Sequence, residues 1–259
     1  MAQNHQIAKS PDHEILSVTV HRPWPLPDRP WIMVQHWHDL LFAHWALPAE
    51  QIRSLIPQEL ELDTFQGKAW IGVIPFWMSH VRFRTTPPIP TASRFPELNV
   101  RTYVRTPLDP DKPGVYFMSL DAGSLLAVLG ARAGFGLPYF WADMHVKNSG
   151  TEIDYRSIRR SRRDPAAFRA SYRPTGPVSP DKTELERFVT ERYCLYAVRS
   201  GKVHRVQIHH LPWPLQPADA EFERNTMAQA HGINLPHETP ALQFAKFLEV
   251  YIFPPEEIR

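Results

Sequence analysis

The stretch that decides the fold spans residues 47–63 and reads LPAEQIRSLIPQELELD. Pro48 stands where the first turn of a helix accepts proline, and Pro57 lacks the backbone donor needed to continue a helix. Between them, aliphatic side chains recur at helical spacing, at Ile52, Leu55 and Ile56. We therefore predict a short helix from Pro48, followed by a strand at Leu60–Thr64.

The rest of the chain is patterned mainly as short strands. Glu97–Arg105 alternates strictly between apolar and polar residues, which is typical of a strand. Helices are predicted at Ser124–Ala133, before two glycines, and at Leu185–Glu191, after a capping box that begins at Thr183. We expect a mainly β protein with a few short helices, of the α+β class. The other predicted strands are Trp31–Trp45, Lys68–Trp77, Val115–Leu120, Tyr139–Lys147, Glu152–Arg160, Tyr193–Arg199 and Val203–His209.

The composition is that of a globular chain with stiff connections. Among the 259 residues, 43% are hydrophobic and 12% aromatic, which is enough for a sizeable core. The 27 prolines cluster between the patterned segments. Residues 1–30 are polar and proline-rich, with one candidate strand at Ile15–Val20, and we expect them to form an N-terminal extension. No repeat and no long linker divides the remainder, so we predict a single domain at residues 31–259.

Charge and cysteine content argue against several kinds of partner. The formal net charge is only +2, and the basic run at residues 156–163 has no accompanying aromatic platform, so we expect no nucleic acid partner. Cys194 stands alone and cannot form an internal disulfide. Residues 1–11 contain no apolar segment typical of a signal peptide, and no apolar run approaches the roughly 20 residues that span a bilayer. We expect a cytoplasmic protein without a membrane partner.

Four further motifs accompany the 47–63 stretch: FPELNVRTYV at 95–104, GVYFMSLD at 114–121, GLPYFWA at 136–142 and ERYCLY at 191–196. Together they resemble the YqjF-like family of the acetoacetate decarboxylase-like superfamily, over roughly residues 31–255. The resemblance implies an antiparallel β-barrel, closed or nearly closed, with a few helices. It also implies a small cavity inside the barrel.

The resemblance further implies which parts of the superfamily's site are retained. In the decarboxylase, two adjacent lysines follow a proline, and one of them forms an imine with the keto acid. Here that turn reads Pro138-Tyr139-Phe140, and neither aromatic side chain can form an imine. The aromatic-x-Glu motif is kept as Phe95-Pro96-Glu97, whereas a substrate-binding arginine falls on His38 and a second glutamate falls near Gly72. The resemblance thus implies a barrel without Schiff-base chemistry.

One face of the predicted strand at 97–105 carries Glu97, Asn99, Arg101 and Tyr103. If this face lines the barrel, we expect ligand contacts from Asn99, Arg101 and Tyr103. Glu97 would then be catalytic, with Tyr139 or His38 as its acid partner. If the face lies outside, the alternation is that of a half-buried strand with a solvated surface, and Tyr139 is a core aromatic.

His36 and His38 are two residues apart in a predicted strand, so they project to the same face. That spacing is compatible with two metal ligands, but no third ligand is evident in the sequence. The aromatic neighbours Trp37 and Trp45 favour packed histidines instead. We predict neither a metal nor a cofactor.

Three functions remain open at this stage. The first is a barrel that binds a small ligand with a carbonyl or carboxylate group. The second is a lyase or isomerase that uses Glu97 with Tyr139 or His38 for acid–base chemistry. The third is an interaction protein with a solid barrel. A homo-oligomer is compatible with all three.

Overall fold

The computed structural model describes residues 11–90 and 92–259. Over these residues the protein is mainly β with four short α-helices, as expected, and a single 3-10 turn at Gln229–His231. The helices are α1 (Pro11–Ser17), α2 (Ala49–Arg53), α3 (Leu125–Phe135) and α4 (Glu184–Thr190). The strands are β1 (Met33–Pro48), β2 (Glu61–Leu62), β3 (Lys68–Phe83), β4 (Phe95–Thr106), β5 (Asp109–Ala122), β6 (Tyr139–Asn148), β7 (Ile153–Arg159), β8 (Ala167–Pro174), β9 (Cys194–Arg199), β10 (Lys202–His209), β11 (Leu215–Asn225), β12 (Ala241–Ile252) and β13 (Glu256–Glu257).

Most local signals acted as the sequence predicts. Pro48 is the N-cap of α2, and β2 follows at the position expected for a strand, but α2 ends at Arg53, so Leu55 and Ile56 lie outside the helix. Gly136 ends α3 in the left-handed conformation, at φ 64, which glycine adopts without a steric penalty. Thr183 and Glu186 form the reciprocal capping box that begins α4.

The strand pairings close into two rings. The smaller ring runs through β4, β5, β9, β10, β12, β1 and β3. The larger ring runs through β5, β6, β7, β8, β11, β12, β1, β3 and β4. Five strands, β12, β1, β3, β4 and β5, belong to both rings, and we call them the shared wall.

The sheet is largely antiparallel, as expected, but it includes two parallel pairings. β5 pairs in parallel with β6 and with β9, whereas the other pairings are antiparallel across the described residues. Parallel neighbours need a crossover rather than a tight turn. Between β5 and β6 that crossover contains α3, after which Tyr139 at the start of β6 pairs with Leu120 near the end of β5.

The shared wall has an apolar core on each face. In β4, Leu98 and Val100 face the core of the larger ring, and the alternate residues face the smaller ring. β1 is buried on both faces as well, which explains its near-continuous apolar sequence. Asp39 interrupts β1 at φ 51, where the pairing with β3 is irregular, so that Trp37 before it and Phe42 after it both face the smaller ring.

The described part of the N-terminal segment packs against the sheet. Residues 11–17 form α1, so the candidate strand at Ile15–Val20 is wrong. Ile15 packs with Tyr251 and Phe253, a contact that the local pattern does not encode. Residues 1–10 of the expected extension lie outside the described residues.

None of the helices between residues 11 and 259 is both long enough and apolar enough to cross a bilayer.

Candidate functional site

A cavity of about 410 Å³ lies inside the smaller ring, and all seven strands of that ring contribute to its lining. Its volume falls within the range of about 300–1,000 Å³ that is usual for small-molecule sites. Its mouth lies between α3 and the loop after β3, where Leu126 is 56% and Ile89 is 51% exposed. Its inner end is lined by buried polar side chains, among them Arg101, Thr190, Arg192 and His210.

Glu97 and Tyr139 meet at the cavity wall. Glu97 comes from β4 and Tyr139 is the first residue of β6, and these two strands pair with opposite edges of the end of β5. The Tyr139 hydroxyl donates a hydrogen bond of 2.8 Å to Glu97 Oε2. Glu97 of the aromatic-x-Glu motif and Tyr139, which follows Pro138, are therefore brought together.

Burial changes the acidity of this pair. Glu97 is only 4% exposed, and the loss of water raises its pKa to about 8, an effect that the Tyr139 hydrogen bond partly offsets and Asp121 reinforces. Burial, followed by the proximity of Glu97, raises the pKa of Tyr139 well above its ordinary value. At neutral pH the site therefore presents a protonated carboxyl and a protonated phenol. A carboxyl group that titrates near neutrality is suited to proton transfer.

Arg101 and Tyr103 are anchored farther along β4, at the end of α4. Arg101 Nη2 donates to the Val189 carbonyl at 3.0 Å, and the Tyr103 hydroxyl donates to the same oxygen at 2.9 Å. His44 Nε2 lies 2.6 Å from the Tyr103 oxygen. Burial and then the charge of Arg101 hold the pKa of His44 well below its ordinary value, so His44 is neutral. Because Tyr103 donates its hydrogen to Val189, His44 Nε2 must donate to Tyr103.

Arg101 carries a buried charge without an acidic partner. Its side chain forms no ion pair with any described carboxylate, and its guanidinium lies 5.4 Å from the Phe42 ring and 5.7 Å from the Tyr103 ring. Arg192, at the same end of the cavity, is instead paired with Asp63 at 2.6 Å. A buried guanidinium without a counter-charge is costly unless an anion joins it.

Asn99 and Tyr103 share the face of Glu97 and Arg101 but do not reach the cavity surface. Tyr103 is fully buried behind Arg101, and Asn99 is 4% exposed. The whole predicted face is therefore interior, which excludes a solvated surface. Only Glu97 and Arg101 of its four polar residues line the cavity.

His38 is not brought to this site. Trp37 lines the cavity, and because neighbours in a strand project to opposite faces, His38 points away from it. There its ring stacks on Trp77 at 3.9 Å, and its Nε2 lies 2.8 Å from Ser79 Oγ. The structure therefore corrects the expectation that His38 shares a cavity with Glu97. Its alternate-residue neighbour His36 stacks on His80.

No group of three or more histidine, cysteine, aspartate or glutamate side chains is arranged to hold a metal within residues 11–90 and 92–259.

Gly72, near which the resemblance places a second glutamate, has no room for a side chain. It pairs with His44 on one side and with Arg101 on the other. A Cβ atom at Gly72 would lie 2.8 Å from His44 Nε2. The His44 ring thus occupies the space that a side chain at position 72 would need.

The lining residues that were not predicted from the sequence include Arg192, His210 and Trp213. The His209-His210 pair was uninformative because adjacent residues project to opposite sides, and only the sheet decides which one faces inward. Trp213 lies in a proline-flanked loop without any periodic pattern. The one available signal was the coincidence of aromatic and basic residues in these segments.

The region that a family model matches covers nearly all of the cavity strands and the shared wall. A model of the DUF2071 family, described as an uncharacterized conserved protein, matches residues 34–249. The chain belongs to the DUF2071 family. The uncharacterized protein YqjF of Bacillus subtilis (strain 168) is 49% identical over 230 residues, which make up 88% of this chain and 93% of that protein. The resemblance to YqjF-like proteins is confirmed.

Solved structures show the same fold at low identity. Acetoacetate decarboxylase from Legionella pneumophila has a TM-score of 0.60 at 11% identity, covering 100% of this chain and 98% of its own. An acetoacetate decarboxylase-like enzyme from Sphingomonas wittichii RW1 has a TM-score of 0.60 at 10% identity, with 89% and 94% coverage. The enduracididine biosynthesis enzyme MppR, complexed with pyruvate, has a TM-score of 0.59 at 10% identity, with 91% and 93% coverage. The DUF2071 chain therefore has the acetoacetate decarboxylase-like fold.

Proposed function

We propose that this protein binds a small ligand with a carboxylate or carbonyl group inside the smaller ring, and that it does so without forming an imine. The observation that carries the proposal is Arg101, a buried guanidinium that lines the cavity and has no carboxylate partner among the described residues. A carboxylate at this position would supply the missing counter-charge.

Two further observations support binding without covalent chemistry. None of the six lysines between residues 11 and 259 lines the cavity. By the resemblance, the turn that carries the decarboxylase lysines corresponds to Pro138-Tyr139-Phe140 here, and the Tyr139 hydroxyl donates to Glu97. The open interior also disfavours the solid-barrel hypothesis, which requires side chains to fill this space.

A thermal-shift screen tests the proposal with keto acids, aldehydes and aromatic acids. A ligand present at 100 times its Kd stabilises a protein by about 2.7 kcal/mol, so binding members of the panel should raise Tm. Arg101→Gln should remove the response to acids. Arg169→Gln, which changes an arginine on the exposed surface of β8, should leave it unchanged. A panel that leaves Tm unaltered, or an Arg101→Gln protein that responds like the parent, would count against the proposal.

A second candidate function is acid–base catalysis at Glu97, which its pKa of about 8 favours. In this scheme the Glu97 carboxylate removes a proton beside a ligand carbonyl, and the Tyr139 hydroxyl hydrogen-bonds the resulting enolate oxygen. The test is exchange of α-hydrogens for deuterium in bound keto acids, followed by NMR. Exchange should accelerate as pH rises towards 8 and should disappear in Glu97→Gln. Exchange that persists in this variant would refute a role for Glu97.

A further inference from the structure

The inner end of the cavity holds a cluster of polar atoms that lack partners. Three side chains that line the cavity, Arg101, His210 and Trp213, each carry a buried nitrogen without a hydrogen-bond partner: Nε, Nε2 and Nε1, respectively. Their exposed fractions are 8%, 0% and 5%. Unpartnered buried polar atoms also occur elsewhere in the described residues, but only these three belong to lining side chains. We call the three residues the head subsite.

Contacts through Phe42 join the head subsite into one group. The Arg101 guanidinium lies 5.4 Å from the Phe42 ring, and the Trp213 ring lies 4.8 Å from it. The His210 ring lies 5.3 Å from that of Trp213. Arg101 on β4 and the segment 210–213 after β10 are thus brought together by Phe42, which contacts Arg101 and Trp213, while His210 contacts Trp213.

The protonation of His210 gives the head subsite a defined pattern of donors and acceptors. His210 Nδ1 lies 2.7 Å from the Leu211 carbonyl oxygen, which can only accept a hydrogen bond. Burial lowers the pKa of His210 to about 4, so the ring is neutral and its single hydrogen is on Nδ1. Nε2 is therefore an acceptor, whereas Arg101 Nε–H and Trp213 Nε1–H are donors. Two donors suit a carboxylate, and the acceptor suits a neighbouring hydroxyl group.

The head subsite is far from the Glu97–Tyr139 pair. β4 pairs regularly with β3 from Glu97 to Arg101, so these two Cα atoms are about 13 Å apart at about 3.3 Å per residue. The guanidinium of Arg101 shares the Val189 carbonyl with Tyr103, which is still farther along the strand. In a three- or four-carbon keto acid, the carboxylate and carbonyl carbons are too close to reach both positions.

The walls between the two positions are apolar. They include Phe117 and Leu120 on β5 and Ile208 on β10, and the apolar lining continues to Leu126 at the mouth. Since liquid water occupies about 30 Å³ per molecule, 410 Å³ corresponds to roughly a dozen non-hydrogen atoms. This greatly exceeds the size of pyruvate or acetoacetate.

We infer that the natural ligand is an elongated amphipathic acid, whose carboxylate binds the head subsite while its apolar chain extends past Glu97 towards α3. The inference rests on the proposed function and specifies its ligand class. A hydroxyl beside the carboxylate strengthens binding through His210 Nε2. Short keto acids, by contrast, reach only one end of the cavity.

Calorimetric titration with a series of acids tests this inference. Butanoate, hexanoate and octanoate should bind about fourfold more tightly for each added methylene, until the apolar walls are covered. Pyruvate and acetoacetate should bind more weakly than octanoate, and 2-hydroxyoctanoate should bind more tightly. Octanamide has the same chain without the charge and serves as the neutral control.

Variants of the head subsite test the role of each of its residues in ligand binding. Arg101→Gln and Trp213→Phe should each weaken octanoate at least tenfold and octanamide much less, and His210→Phe should abolish the advantage of the 2-hydroxyl. Trp213→Phe keeps an aromatic ring in the core, so it still tests the site if Arg101→Gln does not fold.

Four results would overturn all or part of the inference. Equal affinity for pyruvate and octanoate would overturn the ligand class and leave the proposed function intact. Octanoate binding that neither variant alters would place the carboxylate elsewhere. A 2-hydroxyl advantage that survives in His210→Phe would overturn the role of that residue. If no acid of any length bound, the proposed function and this inference would both fall.

Discussion

Replacing Glu97 with glutamine should change how the stability of the protein depends on pH. Glu97 is buried at the cavity wall and accepts a hydrogen bond from Tyr139. Its pKa is raised from 4.5 to about 8 in the folded protein, mainly through burial. Glutamine is isosteric with the protonated carboxyl, can still accept from Tyr139, and does not titrate.

The direction and size of the effect follow from proton binding. Between pH 4.5 and 8 the unfolded chain releases the Glu97 proton whereas the folded protein retains it, so the folded protein loses stability as pH rises. A shift from 4.5 to about 8, at about 1.36 kcal/mol per unit, amounts to roughly 5 kcal/mol over the whole window. The free energy of unfolding of Glu97→Gln minus that of the parent should therefore increase with pH by a value of this order and level off above pH 8.

The assay is urea unfolding followed by tryptophan fluorescence, for the parent and the variant, between pH 4 and 9. Glu256→Gln is a control of opposite sign. Burial alone would raise the pKa of Glu256, but hydrogen bonds from Arg205 and Gln207 lower it. Its contribution to stability is therefore present above the unfolded pKa and is lost as pH falls through the folded one. Glu256→Gln should differ from the parent in pH dependence only at the acidic end. A Glu97→Gln difference that stays flat from pH 4.5 to 8 would refute the raised pKa.

Further predictions concern the same wall and its surroundings. Tyr139→Phe should raise the pKa of Glu97 further, because the lost hydrogen bond favoured the carboxylate; carboxyl NMR would measure the change, and a lowered pKa would contradict it. Borohydride with pyruvate or acetoacetate should leave every lysine unlabelled by mass spectrometry, since none of the described lysines lines the cavity; stoichiometric labelling of one lysine would contradict binding without an imine. Arg159→Leu should reduce the free energy of unfolding by about 3–5 kcal/mol, because it leaves Asp121 charged and buried. Arg159→Leu combined with Asp121→Leu should recover much of that loss in the same urea assay, and no recovery would contradict a pairing origin.

Part of the site could be predicted from the sequence because alternate residues of a strand project to the same face. The alternation in residues 97–105 placed Glu97 and Arg101 on one side, and the retained Phe95-Pro96-Glu97 motif pointed to the cavity. Which residues reach the surface of that cavity depends on the closure of the sheet. Asn99 and Arg101 are two residues apart and therefore lie on the same face of β4, yet only Arg101 lines the cavity. His38 was misplaced because an ungapped count from another family contains no information about the side of β1 on which a residue lies.

Four strands, β8, β11, β12 and β13, received no prediction, and for two of them the reason is visible in the sequence. β11 contains Pro217 and a solvated acidic face at Asp219, Glu221 and Glu223, so its composition is closer to that of a loop. β8 is short and interrupted by arginines. Both become strands because they pair with each other and complete the larger ring. The parallel pairing of β5 with β6 was equally hidden, because it depends on the course of α3 across the sheet.

Because the two rings have the shared wall in common, a movement of its strands affects both interiors. Leu98 supports the closed interior of the larger ring, while its neighbour Glu97 faces the cavity of the smaller one. A displacement of β4 by a ligand must therefore be felt by aromatic residues such as Tyr155, whose hydroxyl donates to the Glu97 carbonyl from the other side. Because the larger ring is packed against β4, it would resist a displacement of this strand. A ligand would then enter through movement of the loop after β3 and the exposed side of α3.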